Sequence, residues 1–118
     1  MLIKIPALIA QVQQHVNCIS AVDAATMRPQ VDGILIDVRE PGEYAAKASP
    51  GAINIPRGVL EMKVLEQYPE PDKAIFIYCA GGARAVLAAE QLIRLGYKQV
   101  WAITCKVEQV IQAHQNVA

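Results

Sequence analysis

An α/β fold, with an open and mostly parallel sheet of five strands, helices on both faces and an amphipathic helix ahead of it, is the architecture this chain predicts. Three observations carry it. Four short aliphatic-rich runs, Ile34 to Ile36, Ala52 to Ile55, Ala74 to Tyr78 and Val100 to Ile103, are of strand length, and a shorter apolar segment, Cys18-Ile19, precedes them. The segments between them carry apolar residues at helical spacing, and short runs that stay apolar without alternating belong to strands covered on both faces. Finally, 118 residues with 53% hydrophobic and only six aromatic side chains supply one aliphatic core and no second one. A single domain over 1–118 is expected, with a helical extension at 1–17 and the core at 18–114.

The extension places Ile5, Leu8, Ile9, Val12 and Val16 on one helical face, with Pro6 near the start. Its other face carries Gln11, Gln13, Gln14 and His15 and lacks the Lys and Arg of a membrane-surface helix. The helix is therefore expected to pack on its own domain or on a second copy, which makes it the candidate homodimer contact. Ser20 is placed to cap a helix over Ala21 to Arg28, and after Gly33 the strand Ile34 to Ile36 runs into Asp37-Val38-Arg39-Glu40. Pro41 to Ala46 reads as a turn into a brief helix, Pro50-Gly51 as a turn, and Val59 to Gln67 as a helix stopped by Pro69 and Pro71. The run Ala85 to Leu95 predicts a helix closed by Gly96, with Glu90 and Arg94 spaced to pair. Val107, Val110, Ile111 and His114 predict a last one.

Eleven basic residues balance eleven acidic ones, with no basic block or basic-aromatic stripe, so nucleic acid is not an expected partner. No apolar run approaches the ~20 residues of a membrane span. The first ten residues combine a lysine with an apolar stretch, but glutamines follow without a small-x-small cleavage site, and export is not expected. Three cysteines, Cys18, Cys79 and Cys105, form no CxxC pair, which fits a reducing, cytoplasmic setting. His15 and His114 lie at opposite ends of the chain and make no ligand-spaced set with the cysteines, so no metal or other cofactor is expected.

In open parallel sheets, reactive groups gather beyond the carboxyl ends of the strands. Here that rim would hold Asp37 and Arg39, Asn54 to Arg57, Cys79 to Arg84, and Thr104 to Lys106. Cys79-Ala80-Gly81-Gly82-Ala83-Arg84 begins with a thiol and ends where a helix starts. The first N–H groups of a helix have no partners inside it, so this is a site for a thiolate or a bound anion. Gly81 and Gly82 are expected to take backbone conformations closed to other residues and to turn successive N–H groups inward. Arg84 adds a planar cation.

Two kinds of nucleophilic catalysis suit such a loop: sulfur transfer through a persulfide on Cys79, or phosphoryl transfer through a phosphocysteine. The four residues between Cys79 and Arg84 leave a tight fit for phosphate. Cys18 reads as a small buried hydrophobe. Cys105 is either a filler of core or rim or a second thiol that attacks a Cys79 persulfide. Lys47 and Lys106 are either solvated charges or attractors of an anionic donor, and Arg57 is a candidate substrate contact.

These strings resemble the rhodanese-like domain family from about Ile19 to about Ile111. Its strand ending Asp-Val-Arg-Glu stands here as Asp37-Val38-Arg39-Glu40 and its Pro-Gly-Ala-Ile-Asn-Ile-Pro segment as Pro50 to Pro56. Its loop Cys-x-x-Gly-x-Arg stands as Cys79 to Arg84. The resemblance implies a sulfurtransferase in which Cys79 carries the persulfide, the amides from Ala80 through Gly81, Gly82 and Ala83 to Arg84 stabilise it, and Asp37, Arg39 and Arg84 position the loop. It also implies a small sulfur donor such as thiosulfate or a persulfide, a thiol or cyanide acceptor, and a sulfur-accepting protein as a further candidate. Phosphatase-like and arsenate-reducing relatives use a loop one residue longer.

This chain departs from the family pattern at three places. Lys47-Ala48-Ser49 replaces the usual Gly-His-Ile, Cys105-Lys106 replaces Gly-Gly, and Ala80 stands where some thiosulfate-using members have a basic residue. The second departure brings Cys105 toward Cys79 across the rim as an expectation, and with it a thiol-dependent reductase as an alternative to sulfur transfer. A non-catalytic binding module acting through the N-terminal helix is a third reading, against which the intact cysteine loop argues.

Overall fold

The computed structural model describes residues 1–117. Five strands, β1 (Asn17–Ile19), β2 (Ile34–Asp37), β3 (Ala52–Asn54), β4 (Ala74–Tyr78) and β5 (Gln99–Ile103), form one sheet in the order β1-β5-β4-β2-β3. Every pair is parallel, so the expected "mostly parallel" sheet is wholly so. The helices are α1 (Ile5–Gln13), α2 (Ala21–Gln30), α3 (Pro41–Ala46), α4 (Leu60–Gln67), α5 (Ala83–Leu95) and α6 (Val107–Val117), with a 3-10 turn at Arg57–Val59 leading into α4.

Strand parity divides the core. Along the central strand β4, Ala74, Phe76 and Tyr78 face one side while Ile75 and Ile77, followed by Cys79, face the other. The first side is covered by α2 and α6 through Ala21, Ala24, Ala25, Val107 and Val110, and there Phe76 stacks on Trp101 at 4.9 Å. The second is covered by α1, α4 and α5 through Val12, Leu60, Val64, Val86 and Leu92. Small residues at Ala85, Ala88 and Ala89, all fully buried, let α5 lie close against the sheet. Gly96 ends α5 at φ 113°, the left-handed cap its position predicts.

The extension folds onto its own domain: Leu8, Ile9, Val12 and Val16 join the cluster around α5, whereas Ile5 stays 60% exposed. The face proposed for a second copy is thus largely used within the chain. α1 stops at Gln13, short of the expected reach to Val16, because two turn hydrogen bonds, His15 N–H to Val12 and Val16 N–H to Gln13, fold Val16 back into the core. Ser20 Oγ accepts from Asp23 N–H at 3.1 Å and caps α2.

Two expectations need correcting. Cys18 is exposed, because its three-residue strand β1 lies at the sheet edge. Glu90 and Arg94 form no ion pair. No helix among the described residues is long and apolar enough to cross a membrane.

His114 lies at the α2–α6 seam with 2% exposure. A carbonyl only accepts, so the neutral ring carries its proton on Nδ1 and donates to Val110 at 2.9 Å, which leaves Nε2 buried without a partner. Burial, and then the nearby Arg28 cation, push the imidazole below its ordinary value. As pH falls through the unfolded histidine value of ~6.5, the unfolded chain takes up a proton that the native one refuses, so stability falls with acid. Urea titrations of wild type and His114→Gln should therefore differ in slope between about pH 7 and about pH 5, with the wild type losing up to ~1.4 kcal/mol per pH unit more. Parallel curves would remove His114 from the acid response.

Candidate active site

The loop after β4 closes around the Cys79 sulfur. Cys79 is 1% exposed, and its Sγ accepts from Gly82 N–H at 3.0 Å and from Ala85 N–H at 3.4 Å. Gly82 is the N-cap of α5 and Ala85 lies in its first turn, where N–H groups have no helical partner, so the sulfur sits at the positive end of the 13-residue helix. Ala80 and Gly81 bulge outward and are exposed, and Ala80 accepts from Val107 N–H at 3.0 Å, which ties the loop to α6.

Of the two glycines, only Gly82 uses its freedom, with φ 108°. A Cβ there would also lie 3.1 Å from both Cα and O of Thr104, so the loop packs backbone to backbone against the end of β5. Gly81 has no positive φ and nothing within 4 Å of an added Cβ, contrary to the expectation that both glycines take special conformations.

Arg84 does not present an open cation. Its Nη1 and Nη2 donate to Glu43 Oε1 and Oε2 at 2.9 and 3.1 Å, a two-point fork between α5 and α3. Glu43 also accepts from Glu40 N–H at 3.0 Å, the reciprocal half of a capping box at the start of α3. The Arg84 guanidinium and, after it, that N–H hold the Glu43 carboxyl down at about 2. Reading the sequence from the loop outward misses Glu43. Its available signal was the Glu-x-x-Glu spacing of Glu40 and Glu43 ahead of an Ala pair, with Arg84 as the one loop cation needing a partner.

Asp37 and Arg39 form a buried ion pair, 0% and 3% exposed, with Arg39 Nη2 at 2.7 Å from Asp37 Oδ2. The hydrogen bond to Asp37 holds the guanidinium charged. The pair steadies a neighbouring segment, because Arg39 Nη2 donates to Lys47 O at 2.7 Å and Ser49 N–H donates to Tyr78 Oη at 3.1 Å beneath the Arg39 plane. Burial pushes the Tyr78 phenol up and keeps it protonated. Asn54 Nδ2 reaches back to Asp37 O and Arg39 O, each at 3.0 Å, and fixes the turn after β2. Support for Cys79 from Asp37 and Arg39 is therefore indirect, through the β2–β4 rim.

Cys105 stands elsewhere. Its Sγ accepts from Ala21 N–H at 3.3 Å at the start of α2, and it packs with the α2–α6 cluster, on the opposite face of the sheet from Cys79. The expectation of two thiols facing across the rim is not met, since each sulfur sits at the start of a different helix. Arg57 pairs with Glu61 at 2.8 Å on α4, and Lys47 with Glu108 at 2.6 Å. Lys106 is exposed, and its N–H donates to Gln109 Oε1 at 3.1 Å as α6 begins. Among the described residues, no three His, Cys, Asp or Glu side chains gather as a metal-ligand set.

A family model described as Rhodanese-like domain matches residues 20–112. A sulfurtransferase of Allochromatium vinosum is 35% identical over 69 residues, 58% of this chain and 63% of that protein. The thiosulfate sulfurtransferase PspE of Escherichia coli is 34% identical over 65 residues, 55% of this chain and 62% of that protein. The chain thus spans about three fifths of these curated relatives. Among solved structures, a Rhodopseudomonas palustris protein of unknown function, described as a possible tyrosine phosphatase, is 28% identical and superposes with TM-score 0.80 over 96% of this chain and 92% of its own. The polysulfide-sulfur transferase homodimer of Wolinella succinogenes is 26% identical, with TM-score 0.75 over 90% of this chain and 80% of its own.

Gly82→Ala combines backbone strain with a 3.1 Å contact on Thr104 and should lower stability by about 1–3 kcal/mol and expose the Cys79 thiol, whereas Gly81→Ala should be near neutral. Denaturant titration and the alkylation rate of Cys79 would check both. Equal effects would show that positive φ is not what closes the loop.

Glu43→Gln tests the clamp. A carboxylate lowered to about 2 stabilises fully above its unfolded value of ~4.3 and loses that contribution as pH falls through the folded value. The wild type should exceed the variant by about 1 kcal/mol or less, because the pair is more than a third exposed, and the gap should close only between about pH 4 and about pH 2. A gap that closes near neutrality would point to another group.

Proposed function

The chain belongs to the rhodanese-like domain family, and on that premise we propose that it is a sulfurtransferase that carries sulfane sulfur as a persulfide on Cys79. The observation that carries this reading is the Cys79 sulfur held between two N–H groups at the start of α5, beneath a loop whose Ala80, Gly81 and Ala83 are exposed. Two N–H groups aimed at one sulfur fix its position at the start of α5 for attack on a donor, the step that leaves the transferred sulfur bonded to Sγ. Thiosulfate or a persulfide is the donor and a thiol or cyanide the acceptor. Of the expected loop set Ala80 to Arg84, Gly82 supplies one of the two N–H groups on the sulfur, Ala85 supplies the other, and Arg84 braces the loop through Glu43, with Asp37 and Arg39 as positioning residues behind them.

Phosphoryl transfer is less well supported, although one structural neighbour is described as a possible tyrosine phosphatase. The amides at Gly82 and Ala85 already converge on the sulfur itself, and four residues between Cys79 and Arg84 leave little room for three further oxygens. An internal Cys79–Cys105 disulfide is disfavoured by their opposite faces. A binding module acting through Val12 and Val16 is disfavoured by the burial of both, at 6% and 8% exposure.

Incubation with thiosulfate or a hydropersulfide followed by intact-mass measurement should add one sulfur atom to the wild type, removable by cyanide, and none to Cys79→Ser. An adduct that survives Cys79→Ser, or no adduct with any donor, would overturn the assignment.

A further inference from the structure

Helix α1 lies beside the loop, and the two enclose a groove of about 340 Å³. One wall is Ile5, Pro6, Ile9, Ala10 and Gln13 of α1; the other is Gly81, Gly82 and Ala83 of the loop, with Thr104. The volume is that of a small-molecule site, ~300–1,000 Å³. No charged side chain lines it, and Ile5 shows 60% of its surface to solvent. α1 precedes residue 20, where the family match begins, so this wall is an addition to the matched domain.

Charge points the same way as shape. The rim cations Arg39, Arg57, Arg84 and Lys47 face Asp37, Glu61, Glu43 and Glu108. The remaining one, Lys106, is exposed and outside the groove. A dianionic donor would find loop amides but no cation at the groove, whereas a neutral apolar substituent would cover Ile5 and Ile9 and release water from both surfaces without desolvating a charge.

We infer that the groove between α1 and the loop is the subsite for the apolar substituent of an organic hydropersulfide, R–S–SH, the donor to Cys79. The inference rests on the sulfurtransferase reading. The Cys79 thiolate attacks the outer sulfur of R–S–SH. A bond forms between Sγ and that sulfur, the donor's S–S bond breaks, and its electron pair leaves on RS⁻, which takes a proton from water. The proton of the –SH travels with the transferred sulfur, and no external oxidant or reductant is needed. Gly82 is both part of the groove wall and the donor to the buried Sγ, at 3.0 Å, so a bound substituent lies against the loop that holds the sulfur.

The test is the rate at which Cys79 gains one sulfur, followed by intact mass, from methyl, butyl and hexyl hydropersulfides, carboxyethyl hydropersulfide and thiosulfate. The rate constant per donor concentration should rise about tenfold or more from methyl to hexyl, and the charged donors should fall below hexyl. Ile5→Asp and Ala10→Phe, both at exposed positions, should pull the hexyl-to-methyl ratio toward one, the first by charging the groove and the second by filling it. Loading of Cys79 with a flat chain-length profile, or with thiosulfate fastest, overturns the subsite and leaves the sulfurtransferase reading standing. A dimer in sedimentation that Ile5→Asp dissociates assigns the groove to a second copy and also overturns it. If no donor loads Cys79, both readings fall together.

Discussion

The loop around Cys79 closes because residue 82 has no side chain. At φ 108° Gly82 turns its N–H onto the sulfur, and with only hydrogen on its Cα it rests against the backbone of Thr104. Thr104 is where it is because β5 pairs with β4 in fixed register, Ile77 opposite Ala102, and because its own N–H reaches Ile19 O on the neighbouring edge strand β1. The Ala80 carbonyl is then held by Val107 N–H as α6 begins. A contact of a few ångströms at one glycine thus joins β4, β5, α5 and α6, and the direction of two N–H groups onto one sulfur depends on all four. Glycine takes this φ without strain, whereas any side chain at residue 82 would meet both the strained φ and the Thr104 backbone.

Charge around the loop is arranged by pairing. The Arg84 fork is satisfied by Glu43, which is in turn fixed by the capping box of α3, so the cation braces α3 against α5 and is not left to meet solvent. Arg39 is spent on Asp37 and the Lys47 carbonyl, and the segment at Lys47 to Ser49, where the sequence departs from its family's Gly-His-Ile, is held by that contact and by Tyr78. What remains for an anion at the loop is the set of backbone donors at the start of α5. Backbone donors of this kind suit one atom of diffuse charge such as sulfur, because they are fixed in place before it arrives.

The same economy explains the N-terminal extension. A helix with five apolar positions and a glutamine-rich face could have served a membrane, a second copy or its own core. Leu8, Ile9, Val12 and Val16 go to the core, and Ile5, one turn before Ile9, is left beside the loop. The helix thereby does two jobs, covering α5 and walling a groove.

Much of this was legible from residue order, because it follows from short-range rules. Aliphatic runs of strand length, Ser20 and Gly96 at helix ends, and a cysteine followed by a glycine pair and a helical repeat each specify their own local structure, and repeated in order they specify a parallel sheet with a reactive rim. The separation of Cys79 from Cys105, by contrast, was not legible, because which face each thiol takes depends on the pairing and register of β4 and β5. What the sequence could not contain is which distant partner each side chain takes. Glu43 for Arg84, Glu108 for Lys47 and Thr104 beneath Gly82 are 41, 61 and 22 positions away, brought together only when the sheet sets its register. Edge and centre are likewise assigned by strand order, so Cys18, a short apolar residue by neighbourhood, ended exposed on an edge strand. Local chemistry made the thiol and its loop; long-range packing decided that the loop's cation is already paired and that its neighbouring groove is apolar.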